Sequence, residues 1–224
     1  MAQFSPVTTK DAEVGSSWDS GSWRGGTWRG MLELMRADLA CTVRECTHGA
    51  AVHRLRYYSH LIVPSAFCAI IFRVSHLAHA KGGWRLAAAI CLFNQRLCGV
   101  VLHPACRIGP GVYIPHPMGV TFCGSAGANL AIYPGGYVAP RAFPGWRASL
   151  QPDWPRFGDN VRIGTYSAII GAVTVGSDTL INVQVVLRTD LADGQTVLVR
   201  PNWRLQRKSE VAETAPVENA SLDL

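Results

Sequence analysis

Charged residues are scarce in this sequence: Asp, Glu, Lys and Arg make up 16% of the 224 residues, while apolar residues make up 48%. Such a composition excludes a disordered chain and a charged coiled coil, because the chain has enough apolar surface to build a core. The length excludes a machine of several large domains and allows one domain, or a small domain joined to a larger one. With 22 Gly and 13 Pro, the composition is typical of a turn-rich globular protein.

Paired cysteines and long apolar runs are missing as well. The seven cysteines contain no Cys-x-x-Cys motif, which is typical of reduced, buried thiols and predicts a cytoplasmic location. The longest largely apolar run, residues 61–72, is well short of the roughly 20 residues that a membrane-spanning helix needs. Segment 1–17 contains no apolar stretch typical of a secretory signal. We therefore expect neither a transmembrane segment nor a signal peptide.

Basic residues outnumber acidic ones, and the net charge is +6. This charge favours an anionic partner. The sequence contains no recognisable nucleic-acid-binding module, however, so we expect no nucleic-acid partner. The histidines of the first half show no spacing typical of metal ligands, and we expect no metal site.

The chain divides into segments of different pattern. Residues 1–29 are rich in Ser, Gly and Trp without a period, which predicts a loose arm. Apolar residues recur at helical spacing over 30–101, where Pro64 and the Gly82-Gly83 pair predict breaks between three or four helices. Residues 209–224 carry acidic but no basic side chains and predict a mobile tail.

A six-residue period begins after the helical segment and predicts a solenoid over residues 102–208. The apolar residues of this period lie in two unbroken registers: Leu102, Ile108, Ile114, Val120, Ala126, Ile132 and Val138, then Phe157, Ile163, Ile169, Val175, Ile181 and Leu187. This period is typical of a parallel β-helix with three short strands, and so three hexapeptides, in each turn. Between the registers, residues 144–156 are extra and must leave the solenoid as a loop.

The segments 102–120 and 158–164, together with 72–77 in the helical part, resemble the serine acetyltransferase group of hexapeptide-repeat acyltransferases. The resemblance implies a mainly β protein with α, in which an N-terminal helical domain precedes a left-handed parallel β-helix. It further implies a homotrimer, with two trimers joined in some members, and sites in the clefts between subunits. The implied chemistry is acyl transfer from acyl-CoA to a hydroxyl, with acetyl-CoA as co-substrate and no tightly bound cofactor.

The same resemblance assigns candidate site residues. His116 matches the catalytic histidine, and imidazole suits a general base near neutral pH because its unperturbed pKa is about 6.5. The positions that match the groove for acyl-CoA are Gly164, Thr165, Asn182 and Val183.

Four features of the group's pattern are missing from this sequence. Val101 replaces an acidic residue that orients the base, and Pro115 replaces an acidic residue that contacts substrate serine. Ala139-Pro140 falls in a glycine motif near the acyl donor, and Trp154 replaces a second histidine. These departures disfavour serine as acceptor, because the charged groups that recognise an amino acid are missing.

The extra loop supplies the candidate acceptor residues Arg141, Trp146, Asp153 and Trp154. Its rings and guanidinium groups suit stacking on a flat or sugar-like acceptor. Alternatively, its tryptophans pack against a neighbouring subunit. Asp153 is a candidate replacement for a missing carboxylate.

Three hypotheses for the function follow. The first is an acyl-CoA-dependent O-acyltransferase, in particular an O-acetyltransferase, that modifies a hydroxyl of a sugar or specialised metabolite with His116 as base. The second is a catalytically silent trimeric scaffold or regulatory homologue. The third is a serine O-acetyltransferase with a rearranged pocket.

Overall fold

The computed structural model describes residues 26–50 and 53–199. The predicted tail, the end of the predicted solenoid and nearly all of the predicted arm therefore lie outside the described residues. The helices are α1 (Trp28–Cys46), α2 (Arg54–Ser59), α3 (Pro64–Ala80) and α4 (Trp84–Cys98), with a 3₁₀ turn at His60–Ile62. None of the described helices combines the length and the apolar character needed to cross a bilayer.

The helix ends follow from the sequence. The Thr27 hydroxyl accepts a hydrogen bond of 3.1 Å from the Gly30 amide and so caps α1. Pro64 occupies the first turn of α3, where its missing amide hydrogen is tolerated. Gly99 ends α4 with φ of 69°, a left-handed conformation that glycine adopts without strain.

Short strands build the second part of the chain. The described strands are β1 (Val100–Leu102), β2 (Arg107–Ile108), β3 (Val120–Phe122), β4 (Ser125–Ala126), β5 (Ala131–Ile132), β6 (Tyr137–Ala139), β7 (Arg156–Phe157), β8 (Arg162–Ile163), β9 (Ala168–Ile170), β10 (Thr174–Val175), β11 (Leu180–Ile181), β12 (Val186–Leu187) and β13 (Thr196–Val197). All pairs are parallel. The sheet orders are β1-β3-β6-β9-β12 (sheet A), β2-β4-β7-β10 (sheet B) and β5-β8-β11-β13 (sheet C). Each turn of the chain visits the three sheets in succession, which makes a three-walled solenoid of about five turns.

The core of the solenoid consists of stacked side chains from the predicted period. All thirteen predicted positions are buried. Stacking apolar side chains from successive turns removes them from water, and this burial stabilises each turn through its neighbours.

The first two turns depart from the predicted length of three hexapeptides. Val101 pairs with Thr121, and Thr121 pairs with Tyr137. The first turn therefore has two additional residues in its corner before β3, and the second turn has two fewer between β3 and β4. Phe122 consequently stacks on Leu102, the place predicted for Val120. Because the excess and the deficit cancel, the six-residue period is unaffected.

The loop leaves the solenoid between sheets A and B of the third turn. Strand β6 ends at Ala139 and β7 begins at Arg156, so the excursion spans 140–155 and begins four residues earlier than predicted.

A buried ion pair ties the helices to the first turn. The Arg73 guanidinium of α3 lies 2.8 Å from the Asp38 carboxylate of α1 and donates to the carbonyls of Ile108 and Gly109. Asp38 also accepts hydrogen bonds of 2.9 Å from the amides of Gly111 and Val112. These contacts fix the corner between sheets B and C directly before the segment that carries His116.

Candidate functional site

The corners between sheets C and A stack into one edge of the solenoid, which we call the His116 edge (residues 114–119, 133–136, 164–167 and 182–185). His116 lies on it in the wide corner of the first turn. Its φ is 51°, and its side chain is exposed. No hydrogen bond, ion pair or ring contact joins its imidazole to the described residues, so its nitrogens are available to a substrate.

The same edge carries the four residues predicted to bind acyl-CoA. Gly164 and Thr165 lie on the third turn, and Asn182 and Val183 lie on the fourth. A Cβ atom at Gly164 would lie 2.6 Å from the carbonyl carbon of Asn182, so only glycine lets these turns approach so closely. With strands about 4.8 Å apart, the third and fourth turns lie about 10 and 14 Å from His116 along the edge. An extended ligand arm can span this distance.

Exposed apolar side chains lie on the same edge of the solenoid as the imidazole. Met118 is 70% exposed and Tyr166 is 69% exposed. The Tyr166 ring lies directly over Gly135, where a Cβ atom would collide with the ring. Exposed apolar side chains on an edge that also carries an unpaired imidazole are typical of a surface that binds a ligand or another chain.

A second cluster lies at the corner between sheets A and B, around His103. Its imidazole stacks on Trp146 with ring centroids 5.6 Å apart and an angle of 2° between the planes. Trp154 and Phe143 contact it edge-on at 5.2 and 6.3 Å. Sequence reasoning misses that His103 anchors the loop. The signal is present in the sequence, since the period places His103 and the loop at the same corner.

The structure thus folds the loop onto its own chain. Trp154 is only 2% exposed, and Trp146 is half-buried. The Arg147 guanidinium lies 5.5 Å from the ring of Trp84 at the start of α4. Arg141 and Asp153 are exposed, and their roles toward an acceptor stay predictions.

The positions that depart from the family pattern are also described. Ala139 and Pro140 are buried where the loop begins, whereas Val101 and Pro115 are half-buried. None of these four side chains carries a charge, and the effect of the four positions on a site stays a prediction.

Burial keeps the imidazoles of His103 and His76 neutral. Burial lowers the pKa of His103 to about 4, although the nearby backbone of Gly145 opposes the shift. Its Nδ1 accepts from the Ala105 amide, and Nε2 has no hydrogen bond of good geometry within the described residues. Burial also lowers the pKa of His76 to about 4, and its Nδ1 donates to the Pro104 carbonyl. Neither can serve as a solvent-accessible base.

The buried thiols are unsuited to catalysis as well. All seven cysteines are free and six are buried, in agreement with the predicted reduced state. Burial raises the pKa of Cys123 to about 12 and also raises the pKa of Cys106 well above its usual value, so these thiols are not ionised near neutral pH. Within the described ranges, no group of three His, Cys, Asp or Glu side chains could hold a metal ion.

The two low histidine pKa values predict a loss of stability in acid. We expect the free energy of unfolding to fall by about 2 kcal/mol for each of His76 and His103 between pH 8 and pH 5. The unfolded chain binds a proton near pH 6.5, while the folded protein keeps both rings neutral down to about pH 4. Chemical unfolding at the two pH values measures the change. A His103→Phe variant cannot titrate at this position, so its free energy of unfolding should fall by about 2 kcal/mol less than the parent's between the two pH values. An equal fall in both proteins would contradict the prediction.

No protein-family model matches the chain. Individual proteins do show sequence similarity to it. The serine acetyltransferase of Helicobacter pylori (strain 26695) is 26% identical over 164 residues, which cover 72% of this chain and 92% of that protein. The serine acetyltransferase of Mycobacterium tuberculosis is 29% identical over 160 residues, which cover 70% of this chain and 66% of that protein.

Solved structures agree on the fold. Neisseria gonorrhoeae serine acetyltransferase in complex with serine superposes with a TM-score of 0.66 at 24% identity, covering 77% of this chain and 68% of that one. Entamoeba histolytica serine acetyltransferase isoform 3 in complex with cysteine superposes with a TM-score of 0.64 at 20% identity, covering 83% of this chain and 64% of that one. The chain is similar to serine acetyltransferases in sequence and in fold. It has the predicted fold class, a helical N-terminal region followed by a left-handed β-helix.

Proposed function

We propose that this protein is an acetyl-CoA-dependent O-acetyltransferase with His116 as its general base. The observation that carries the proposal is an exposed, unpaired imidazole on the edge that also carries Gly164 and Val183. The similarity to proteins named serine acetyltransferases supports the choice of reaction.

The proposed reaction is a direct transfer. Neutral His116 takes the proton of the acceptor hydroxyl as its oxygen attacks the thioester carbonyl. The C–S bond breaks, and the imidazolium returns its proton to the departing CoA sulfur. The products are an acetyl ester and CoA, and the histidine is restored. The exposed side chain of His116 suits this role, because no described residue forms a hydrogen bond with its imidazole.

Acyl-CoA is proposed to lie along the third and fourth turns of the His116 edge. Gly164 and Thr165 would flank its arm on one turn, and Asn182 and Val183 on the next. Close packing of these turns at Gly164 leaves a smooth surface there, and backbone contacts can serve a ligand whatever the neighbouring side chains are.

The proposed site lies between copies of the chain. His116 and the loop around Trp146 occupy different corners of one solenoid, so only a neighbouring copy can bring such a loop to the His116 edge. Head-to-tail contacts of this kind close into a ring, and three copies suit a three-walled solenoid. The exposed Tyr137 and Val186 on sheet A offer apolar surface for the contact. Two such trimers could pair, as the resemblance implies.

L-serine is the acceptor that the named relatives favour. A second candidate is an uncharged hydroxyl compound such as a sugar or specialised metabolite. It is favoured by the uncharged Pro115 and by Trp154, which is buried against His103. Recognition of the ammonium and carboxylate of serine would then need charged groups from elsewhere.

Thiol release from acetyl-CoA tests the proposal. Purified protein should release CoA thiol in the presence of L-serine or of one member of a panel of sugars and metabolites. Rapid turnover of serine alone would select the first acceptor. Binding of CoA without turnover of any acceptor would favour the silent scaffold, and failure to bind CoA would remove the enzyme proposal. A protein that is monomeric in solution would contradict a site between subunits.

A charge placed in the proposed groove should weaken CoA binding. We expect Val183→Glu to lower the affinity for CoA about tenfold, because the new carboxylate would repel the ligand's phosphates. Titration calorimetry measures the affinity. Leu180→Glu, on the outer face of sheet C in the same turn, is the matched control. Equal affinities of the two variants would place CoA elsewhere.

A further inference from the structure

Helix α4 has two faces, one buried and one exposed, and the exposed face is apolar. One face packs inward, where Asn94 bonds to the Cys68 carbonyl of α3 and the Cys91 thiol bonds to the Leu102 carbonyl of the solenoid. On the exposed face, Leu86, Phe93 and Leu97 are 61, 55 and 55% exposed. Their spacing of seven and four residues aligns them in one stripe. An exposed apolar stripe in addition to a buried face is typical of a helix with a further partner.

Helix α3 widens this apolar surface. Ser75 bonds to the Ala87 carbonyl, so α3 lies directly beside α4. The exposed Phe67 and Val74 fall on one stripe of α3. Because the two helices run antiparallel and both turn their opposite sides toward the solenoid, the exposed stripes adjoin on the side away from it.

The surroundings of this surface are basic. The exposed Lys81, Arg85 and Arg96 lie at the end of α3 and along the flank of the α4 stripe. Segment 26–99 contains nine Lys and Arg but only three Asp and Glu residues. Each of these acids is paired with an arginine: Glu33 with Arg29, Asp38 with Arg73, and Glu45 with Arg44 and Arg162. The surface therefore has no unpaired acidic side chain from its own described helices.

We propose that this face, defined by Leu86, Phe93 and Leu97 with Lys81, Arg85 and Arg96, docks on an anionic membrane surface. The apolar stripe enters the boundary between head groups and acyl chains, and the basic side chains bind lipid phosphates. Charge selects this partner over a second copy of the face, because pairing two such faces would bring like charges together. The inference is independent of the proposed chemistry.

Vesicle flotation with the full chain tests the docking. We expect binding to vesicles that contain phosphatidylcholine and about one third phosphatidylglycerol to be at least tenfold tighter than to phosphatidylcholine alone, and to weaken with salt. The triple variant Leu86→Gln, Phe93→Gln and Leu97→Gln should lose at least tenfold, as should Arg85→Gln with Arg96→Gln. Gln has a good helix propensity, so α4 should be kept, which circular dichroism checks.

The matched control is Leu180→Gln with Leu198→Gln, two exposed apolar side chains on the solenoid. It should bind vesicles like the parent. Equal binding to both kinds of vesicle, binding to neither, or full binding by the triple variant would each overturn the proposal. A triple variant whose assembly is smaller than the parent's by light scattering would show that copies of the chain cover this face, which would also overturn it.

Discussion

Replacing His116 by Asn should lower thiol release from acetyl-CoA by about 10²- to 10⁴-fold, the range typical of losing a general base. Asn is the informative replacement because φ at this position is 51°, and Asn adopts the left-handed conformation more readily than most residues. The wide corner should therefore keep its shape while the base is lost. We expect kcat to fall and the affinity for CoA to stay unchanged, because the proposed groove is on other turns.

His48 provides a matched control. It is also exposed, and its φ is 50°, but it follows α1 and lies outside the solenoid. His48→Asn should retain the parent's activity. If His116→Asn and His48→Asn release thiol at similar rates, another group is the base. If His116→Asn instead loses affinity for CoA in proportion to its rate, the imidazole binds the donor without transferring a proton.

Replacing Arg73 by Met should lower the free energy of unfolding by about 3–5 kcal/mol, the loss typical of removing one partner of a buried ion pair. Both side chains are only 1% exposed. The substitution leaves the Asp38 carboxylate buried beside an uncharged side chain and takes the donor from the carbonyls of Ile108 and Gly109. Chemical denaturation of the parent and the variant measures the difference.

The exposed pair of Arg29 and Glu33, 3.2 Å apart on α1, is the matched control for this substitution. Arg29→Met should change the free energy of unfolding by less than about 1 kcal/mol, because solvent screens exposed pairs. Adding Asp38→Leu to Arg73→Met should not restore stability, since the amides of Gly111 and Val112 then lose their acceptor. If Arg73→Met lowers the free energy of unfolding by no more than Arg29→Met does, the buried pair does not hold the helices on the solenoid.

Much of the fold could be predicted because its signals are local. Pro64 and the Gly82-Gly83 pair mark helix boundaries by backbone chemistry alone. The six-residue period identifies the buried side chains, because every strand of the solenoid meets the same narrow interior. His116 and the groove positions were predicted through the resemblance to a family, and the common edge on which they lie follows from the repeating turns.

Other features could not be predicted because they depend on distant contacts. Phe122, and not Val120, stacks on Leu102. The six-residue period does not indicate this, since two extra residues in the first turn are offset by two fewer in the second. The stacking of Trp146 on His103 joins residues from different turns. The outward stripe of α4 has the same apolar pattern as a core-facing stripe, and only packing decides which of the two is buried.

By itself the sequence determined the order of helices and solenoid, the residues of the core and the candidate base, since each depends on a repeat or a motif within a few neighbouring residues. Tertiary structure alone decided which corners share an edge, which aromatic rings are already covered and which apolar and charged side chains remain exposed. The physical reason is that exposure and pairing depend on residues far apart in the chain, such as Asp38 and Arg73, which meet only when the helices pack on the first turn.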